Sequence, residues 1–581
     1  MPETILAPNQ VNKPRDLQAI LIAADTFALR SRTWDRLKFE VEYSLQKGTT
    51  ANSFVIQGDK IALLDPPGES FTEIYLKQLQ SRLDISKIDY IILGHFNPNR
   101  GITLKKLLEI APQITFVCSK PCELALRSEF PEQELKITVV RGEETLDLGK
   151  GHQLRFITTP TPKWPDGLFT YDTATQILFT DKFFCAHVCG DQVFDEGWEI
   201  YNEDRRYYYD CLHASQSKQV LTALDKVADL PVKFYAPGHG PIVQYGFTEI
   251  TKLYREWSQQ QNNQDLTVAL VYASAYGNTA TLAQAIAKGI TKAGVAVESI
   301  NCEIAEPGEI QAVIEKCDGF IIGSPTLGGH APTQVNTALG IILSTASKNK
   351  LAGVFGSYGW SGEAIDLLEN KLQDAGYKLG FQPIRVKFKP TDVILQECKD
   401  AGTDFAQELK KSQKLRAPRP STSGTQADRT EQAMGRLVGS LCVVTAHRGD
   451  VSNAMLASWV SQATFNPPGI TVAVAKERSI ESLMHIGDQF VLNILAEGKQ
   501  LRKHFMKNFA PGEDRFVGID TELASNGCHI LKGALSYLEC RVENRMECGD
   551  HWVIYAIVEN GHLLQSTGLT AVHYRKSGSY Y

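Results

Sequence analysis

The stretch Asp265–Gly294, DLTVALVYASAYGNTATLAQAIAKGITKAG, decides how this chain is read. Its run Thr267–Tyr272 is short, apolar and β-branched, the composition of a strand buried on both faces of a parallel sheet. A small polar loop follows. Apolar residues then fall at Leu282, Ala285, Ile286, Gly289 and Ile290, the spacing of a helix packed on one face. Strand, polar loop and helix in this order aim backbone N–H groups and a helix N-terminus at a phosphate. Ser274, Tyr276, Asn278 and Thr279 add hydroxyl and amide donors around Gly277.

The pattern recurs twice. Gly319–Pro332, GFIIGSPTLGGHAP, is a buried strand that runs into Ser324, Pro325, Thr326, Leu327, Gly328 and Gly329. Leu351–Ala364, LAGVFGSYGWSGEA, ends in Ser357, Tyr358, Gly359, Trp360, Ser361 and Gly362. In a doubly wound sheet such loops gather at the carboxyl ends of the strands, where ligands bind. Tyr358 and Trp360 can stack on a flat ring, and the glycines let backbone approach it. One loop alone reads as well as a tight turn; three in order, each after a buried strand, point to a ligand site. From 263 to 410 the chain resembles flavodoxin over the whole module. The resemblance implies an α/β doubly wound parallel sheet holding FMN.

Outward from this module, 581 residues are too many for one hydrophobic core, so two to four domains are expected. The 43% apolar and 22% charged fractions are those of ordinary globular domains, which argues against a disordered or fibrous chain. A formal net charge of −6 gives no reason to expect nucleic acid as a partner. No apolar run is long enough for a transmembrane helix, and the N-terminus lacks a secretion-signal pattern, so a cytoplasmic location is the default expectation. The twelve cysteines include no CxxC pair, which favours buried thiols over disulfides or a zinc site. The polar stretch Lys411–Gln432, with two prolines and a Ser/Thr/Gly cluster, reads as a linker. Modules are therefore expected at 30–262, 263–410 and 433–581, with 411–432 between the last two.

The first module opens with TTANSFVIQGDKIALLDPPG (Thr49–Gly68), apolar runs broken by turns. IDYIILGHFNPNRGITLKKLLE (Ile88–Glu109) is a buried strand, a loop and an amphipathic helix, and KFYAPGHGPIV closes the module at Lys233–Val243. These stretches resemble the metallo-β-lactamase fold, an αββα sandwich. With a flavodoxin-like module behind it, the chain resembles the flavodiiron proteins over roughly residues 30 to 410. A third module extends the likeness to the cyanobacterial-type members.

The resemblance implies a ligand loop His-x-Glu-x-Asp-His, and here it reads His95-Phe96-Asn97-Pro98-Asn99-Arg100. The family's histidine before Trp-Pro-Asp is Lys163, and its bridging aspartate aligns with Lys182, next to Asp181. Of the implied ligands, His95 and His239 stand in place. Amides offer only neutral oxygens, and the cations of Arg100, Lys163 and Lys182 repel a metal and hold no lone pair for it. The expectation is therefore no metal site, with the three cations at the mouth of a vestigial diiron site supplying the charge two irons would bring.

The third module, from about Gly435, shows short apolar strands between turns, a mainly β barrel. Asn453–Pro468, with Ser458, Trp459 and Ser461, is similar to the flavin-binding segment of short-chain flavin reductases. Lys476 and Arg478 follow the next strand, where a phosphate could be held, and Gly549-Asp550-His551 resembles that family's nicotinamide-side segment. The resemblance implies FMN or FAD with NAD(P)H here; a barrel used only for dimerisation is the plain alternative.

For the family, the likeness implies a relay from NAD(P)H, with ferredoxin as another candidate donor, through two flavins to a diiron site that reduces oxygen to water. Because family subunits pair head to tail, a chain without metals could serve a metal-competent flavodiiron paralogue, or pair with itself, in photoprotective electron disposal. The rival reading is a stand-alone NAD(P)H:flavin reductase with a metal-free, anion-binding or regulatory first module.

Overall fold

The structure is a computed structural model that describes residues 15–34, 38–39, 43–44, 47–142, 144–416, 426–498, 500–507 and 509–575. The chain forms two compact units. The first comprises the residues up to Gln264 with Ala296–Glu306; the second holds Asp265–Val295 and everything from Pro307 onward.

The first unit is a sandwich of two sheets. Asp16–Ala23, Thr26–Thr33, Thr49–Gln57 and Ile61–Leu64 run antiparallel. Ile88–Ile92, Thr115–Cys118 and Lys136–Val139 continue that sheet in parallel. The facing sheet takes Thr145–Asp147, Gln153–Thr158, Leu168–Asp172, Ile177–Asp181 and, in parallel, Phe234–Pro237. Side chains that alternate along each strand meet between the sheets, where Phe54, Ile56, Leu64 and Ile92 pack on Leu154, Phe156, Leu168 and Phe179. Helices Thr72–Gln80, Gly101–Ile110 and Lys120–Glu129 cover one outer face through Leu79, Leu107 and Leu126. Helices Asn202–Leu212, Ser217–Val227 and Phe247–Asn262 cover the other through Tyr209, Leu224 and Tyr254. This is the expected αββα architecture, but the sheet begins at Asp16, ahead of the expected boundary at residue 30. The strand Asp16–Ala23 is the edge of this sheet and pairs from Asp16 to Ala23 with Thr26–Thr33.

In the second unit, Thr267–Tyr272, Gly319–Pro325 and Leu351–Tyr358 pair in parallel. The short strands Lys378–Leu379 and Ile384–Lys387 both add to the last of these, at opposite ends. Helices Asn278–Lys292 and Asp392–Arg416 pack along this sheet, with Gly289 and Gly402 at a contact where a Cβ would lie 2.0–2.1 Å from backbone oxygen. The chain then enters a seven-stranded antiparallel sheet ordered Val451–Ala457, Cys442–Arg448, Gln489–Leu495, Ala534–Cys548, His551–Leu563, Pro468–Ala475, Val460–Phe465. It curls around one core that includes Val444, Val472, Leu492, Val542 and Ile554.

The stretch read as a linker is only partly one. The helix Asp392–Arg416 continues into it and another covers Gln426–Met434; residues 417–425 lie outside the described residues. Lys, Gln, Leu and Arg are good helix formers, which favours helix at the start of this stretch. All twelve cysteines are free thiols, ten of them buried.

Candidate functional site

The loop after strand Ile88–Ile92 is held by backbone and carboxylate together. Gly94 N–H donates to Asp65 Oδ1 at 2.9 Å, and a Cβ at residue 94 would stand 2.8 Å from Asp181 Cβ, so only glycine fits. Asn97 accepts from Asn99 N–H at 3.1 Å and caps the helical turn Pro98–Arg100, whose last residue leads into the helix Gly101–Ile110. Asn97 and Asn99, read from the sequence as vestigial ligand positions, are exposed, and Asn97 Oδ1 is taken up by the cap.

Arg100 is buried. Its Nη1 donates to Asp65 Oδ1 at 2.8 Å and its Nη2 reaches Asp181 Oδ1 at 3.4 Å. Burial and the Asp181 charge push the Asp65 carboxyl up to about 6, against the pull of Arg100. Burial opposes the Arg100 charge, but the two carboxylates outweigh it and hold the guanidinium firmly protonated. The expected cation at the mouth of the site is therefore an internal ion triad, balanced by two aspartates that the sequence pattern did not single out as its partners.

The two remaining histidines are engaged. His95 Nδ1 lies 2.7 Å from Asp166 Oδ1, while Asp166 Oδ2 accepts from Phe96 N–H at 2.8 Å. Burial disfavours the charged form of Asp166, yet His95 and the backbone donor hold its carboxyl below the usual range. His239 Nδ1 faces Thr50 O at 2.7 Å, and a carbonyl only accepts, so this nitrogen carries the proton. Nε2 is then the acceptor that Lys182 Nζ meets at 3.3 Å. Lys163 is partly buried, with its ammonium 5.6 Å from the Trp164 ring centre.

Two irons require imidazole lone pairs and bridging carboxylates around an open volume. Here the lone pair of His239 is turned to an ammonium, and Asp65 and Asp181 are paired with a guanidinium. The cavity lined by His95, Trp164, Asp181 and Lys182 measures about 10 Å³, the space of a single water. Among the described residues no group of three or more His, Cys, Asp or Glu side chains is placed to hold a metal ion. As arranged, these side chains do not fit a diiron centre.

In the second unit the three polar loops leave the same ends of parallel strands, as the sequence pattern requires. Gly277, at φ +79°, starts the helix Asn278–Lys292 in a left-handed conformation, and Ser274 Oγ accepts from Ala280 N–H at 3.0 Å. Thr279 and Ser357 hydroxyls meet at 2.8 Å, tying the first loop to the third. Thr326 N–H donates to Ser357 O at 2.9 Å, tying in the second, in which Ser324 Oγ donates to Pro325 O and Leu327 turns back through Gly328 to His330. Tyr276 and Trp360 are 85% and 88% exposed beside these loops, and Gly359 and Gly362 flank Trp360. Exposed aromatics over a glycine-lined cradle, with Thr326 Oγ1 buried and lacking a hydrogen-bond partner, fit a flat phosphorylated cofactor.

The reductase-like module lines a cavity of about 580 Å³ with Ser458, Arg478, Ser479 and Arg515. Ser458 is buried and its Oγ lacks a protein partner. Arg515 donates to Ala454 O at 2.8 Å and to Ser479 Oγ at 3.0 Å, so its guanidinium is fixed at the cavity wall. Trp459, Ser461, Lys476 and His551 lie outside that lining. The His551 ring lies 4.9 Å from that of Trp459, tilted by 36°, and His551 pairs with Asp550 at 2.8 Å; Lys476 pairs with Glu547, and Ser461 Oγ donates to Gln462 O. Two of the six residues expected to form this site are thus brought together, with Arg515, distant in sequence, joining them.

Comparison with known proteins places these modules. Residues 49–240 match the ODP family beta lactamase model, 270–402 the flavodoxin model, and 434–579 the flavin reductase like domain. The putative diflavin flavoprotein A 6 of Nostoc sp. is 65% identical over 571 residues, spanning 98% of this chain and 99% of that protein. Diflavin flavoprotein A 1 of Synechocystis sp. is 44% identical over 577 residues, 99% of each. A metal-soaked Flv1 flavodiiron core from Synechocystis sp. superposes with a TM-score of 0.67 at 61% identity, covering 68% of this chain and 99% of that one.

Fold, loops and module order define a flavin-dependent oxidoreductase with two flavin modules, FMN in the flavodoxin module and flavin with NAD(P)H in the reductase-like one. The chain belongs to the diflavin flavoproteins, the cyanobacterial-type flavodiiron family. Among the described residues, no helix is long and apolar enough to cross a membrane.

Proposed function

We propose that this chain is the electron-supplying subunit of a cytoplasmic hetero-oligomer with a metal-competent flavodiiron paralogue, in photoprotective electron disposal. The reductase-like module takes a hydride from NAD(P)H, with ferredoxin as the alternative donor, and the flavodoxin module passes electrons to the partner's metal site. Two NAD(P)H and two solvent protons convert one oxygen molecule to two waters. Flavin, when bound, accepts the hydride and releases single electrons. The helix N-terminus at Gly277–Thr279 would favour its phosphate, and the exposed Trp360 would offer a face to its ring.

The observation that carries this reading is the Asp65–Arg100–Asp181 triad standing where the family's ligand loop would present its last histidine. It leaves the chain's redox chemistry to its flavins. Purified alone, the chain should hold up to two flavins and less than stoichiometric iron, and should reduce its FMN with NAD(P)H. Sustained reduction of oxygen to water should need the paralogue. Rapid four-electron oxygen reduction by the iron-free chain alone would overturn the division of labour.

A further inference from the structure

We propose that the flavodoxin module supplies one wall of the reductase-like module's flavin cleft, so that the cleft is a two-module site set at the far end of the flavodoxin sheet from the FMN loops. The inference rests on reading that cleft as the reductase-like module's flavin site.

The cavity of about 580 Å³ falls in the size range of cofactor pockets. One side is Ser458, Arg478 and Arg515 of the reductase-like module; the other is Asp400, Asp404 and Gln407 of the helix Asp392–Arg416. Ser458 Oγ, buried without a protein partner at this cavity, asks for a donor or acceptor on a ligand. Arg478 and Arg515 suit a phosphate.

The wall is anchored. Glu481 of the reductase-like module is buried between Lys292, at the end of the flavodoxin helix Asn278–Lys292, and Arg545. Ser482 Oγ donates to Gln396 Oε1 at 3.1 Å, a bond onto the helix that forms the wall. Burial opposes ionisation of Glu481, but Lys292 and Arg545 hold its carboxyl well below the usual range.

Strand register gives the position. Lys378 and Leu379, which also line the cavity, pair with Leu351 and Ala352 at the start of the strand Leu351–Tyr358. The aromatic loop Tyr358–Gly362 leaves its other end. Six residues of rise separate them, about 20 Å at 3.3 Å per residue. The two flavins of one chain are therefore kept out of ring contact by the length of the flavodoxin sheet.

Flavin-stripped full-length chain titrated with FMN, followed by fluorescence quenching, should show two binding steps. Gln407→Trp should weaken one step tenfold or more and leave the other unchanged, whereas Gln407→Ala should change it by less than about threefold. Arg478→Glu should weaken the same step as Gln407→Trp, and Asn278→Glu the other. If Gln407→Trp leaves both steps intact while Arg478→Glu weakens one, the cleft belongs to the reductase-like module alone and the proposal falls. If Arg478→Glu also changes neither step, the cleft is not a flavin site, and the reading beneath the proposal fails with it.

Discussion

Arg100 donates from Nη1 to Asp65 Oδ1 across 2.8 Å, with both side chains buried in the first unit. Removing one partner of such a pair leaves an uncompensated charge in the interior. Arg100→Met should lower stability by about 3–5 kcal/mol, read as a shift of the urea midpoint. Asp65, already pushed up to about 6, should be raised further in this variant. A proton on the carboxylate removes the stranded charge, so the loss should be largest above pH 6 and shrink as the pH falls. An equal loss at pH 5 and pH 8 would count against this account.

Glu481 gives the opposite sign. Its carboxyl lies well below the usual value of 4.5, so its contribution is full above that value and is lost as the pH falls through its depressed folded value. Glu481→Gln should remove this acid-side dependence. It should cost on the order of 3 kcal/mol at pH 7, because Arg545 stays buried without its anion. Denaturation midpoints at pH 4 and pH 7 would show both effects.

Asp400 is held up to about 6 by burial, against the pull of Arg515. A raised carboxyl favours the folded state at low pH, and that stability is lost as the pH rises from about 4 to about 6. Asp400→Asn should flatten this part of the pH–stability curve, a difference on the order of 1–2 kcal/mol after allowance for its partial exposure. An unchanged slope would show that Asp400 does not titrate in that window.

Gly277 adopts φ +79° with open space where a Cβ would sit. Gly277→Ala should therefore act through the backbone, at about 1–2 kcal/mol for the left-handed conformation, and weaken FMN binding by about tenfold. Trp360→Ala should weaken it by up to about tenfold through lost stacking, with no effect on folding, since Trp360 is 88% exposed.

Separation of the two flavin sites by the sheet predicts exchange between chains. Neither Asn278→Glu nor Arg478→Glu chain alone should carry electrons from NAD(P)H to flavodoxin-module FMN. Mixed, they should regain FMN reduction, measured as bleaching of flavin absorbance; failure to do so, with each chain retaining its other flavin, would place the transfer within one chain.

Much of this was legible in the sequence. Thr267–Tyr272, Gly319–Pro325 and Leu351–Tyr358 are short apolar runs of strand rather than helix length, and the loops after them carry their chemistry locally. The division into three modules likewise followed from composition, periods and turns, which are properties of neighbouring residues, while the type of each module followed from resemblance to known families. What only the tertiary structure decided is pairing across long separations. Asp65, Arg100 and Asp181 come from three segments of the sandwich, and Ser458, Arg515 and Asp400 meet only because two modules pack together. A cation's identity is written in the sequence. Whether it faces water or two buried carboxylates depends on which strands lie side by side, and the low dielectric of the resulting interior turns that neighbourhood into chemistry.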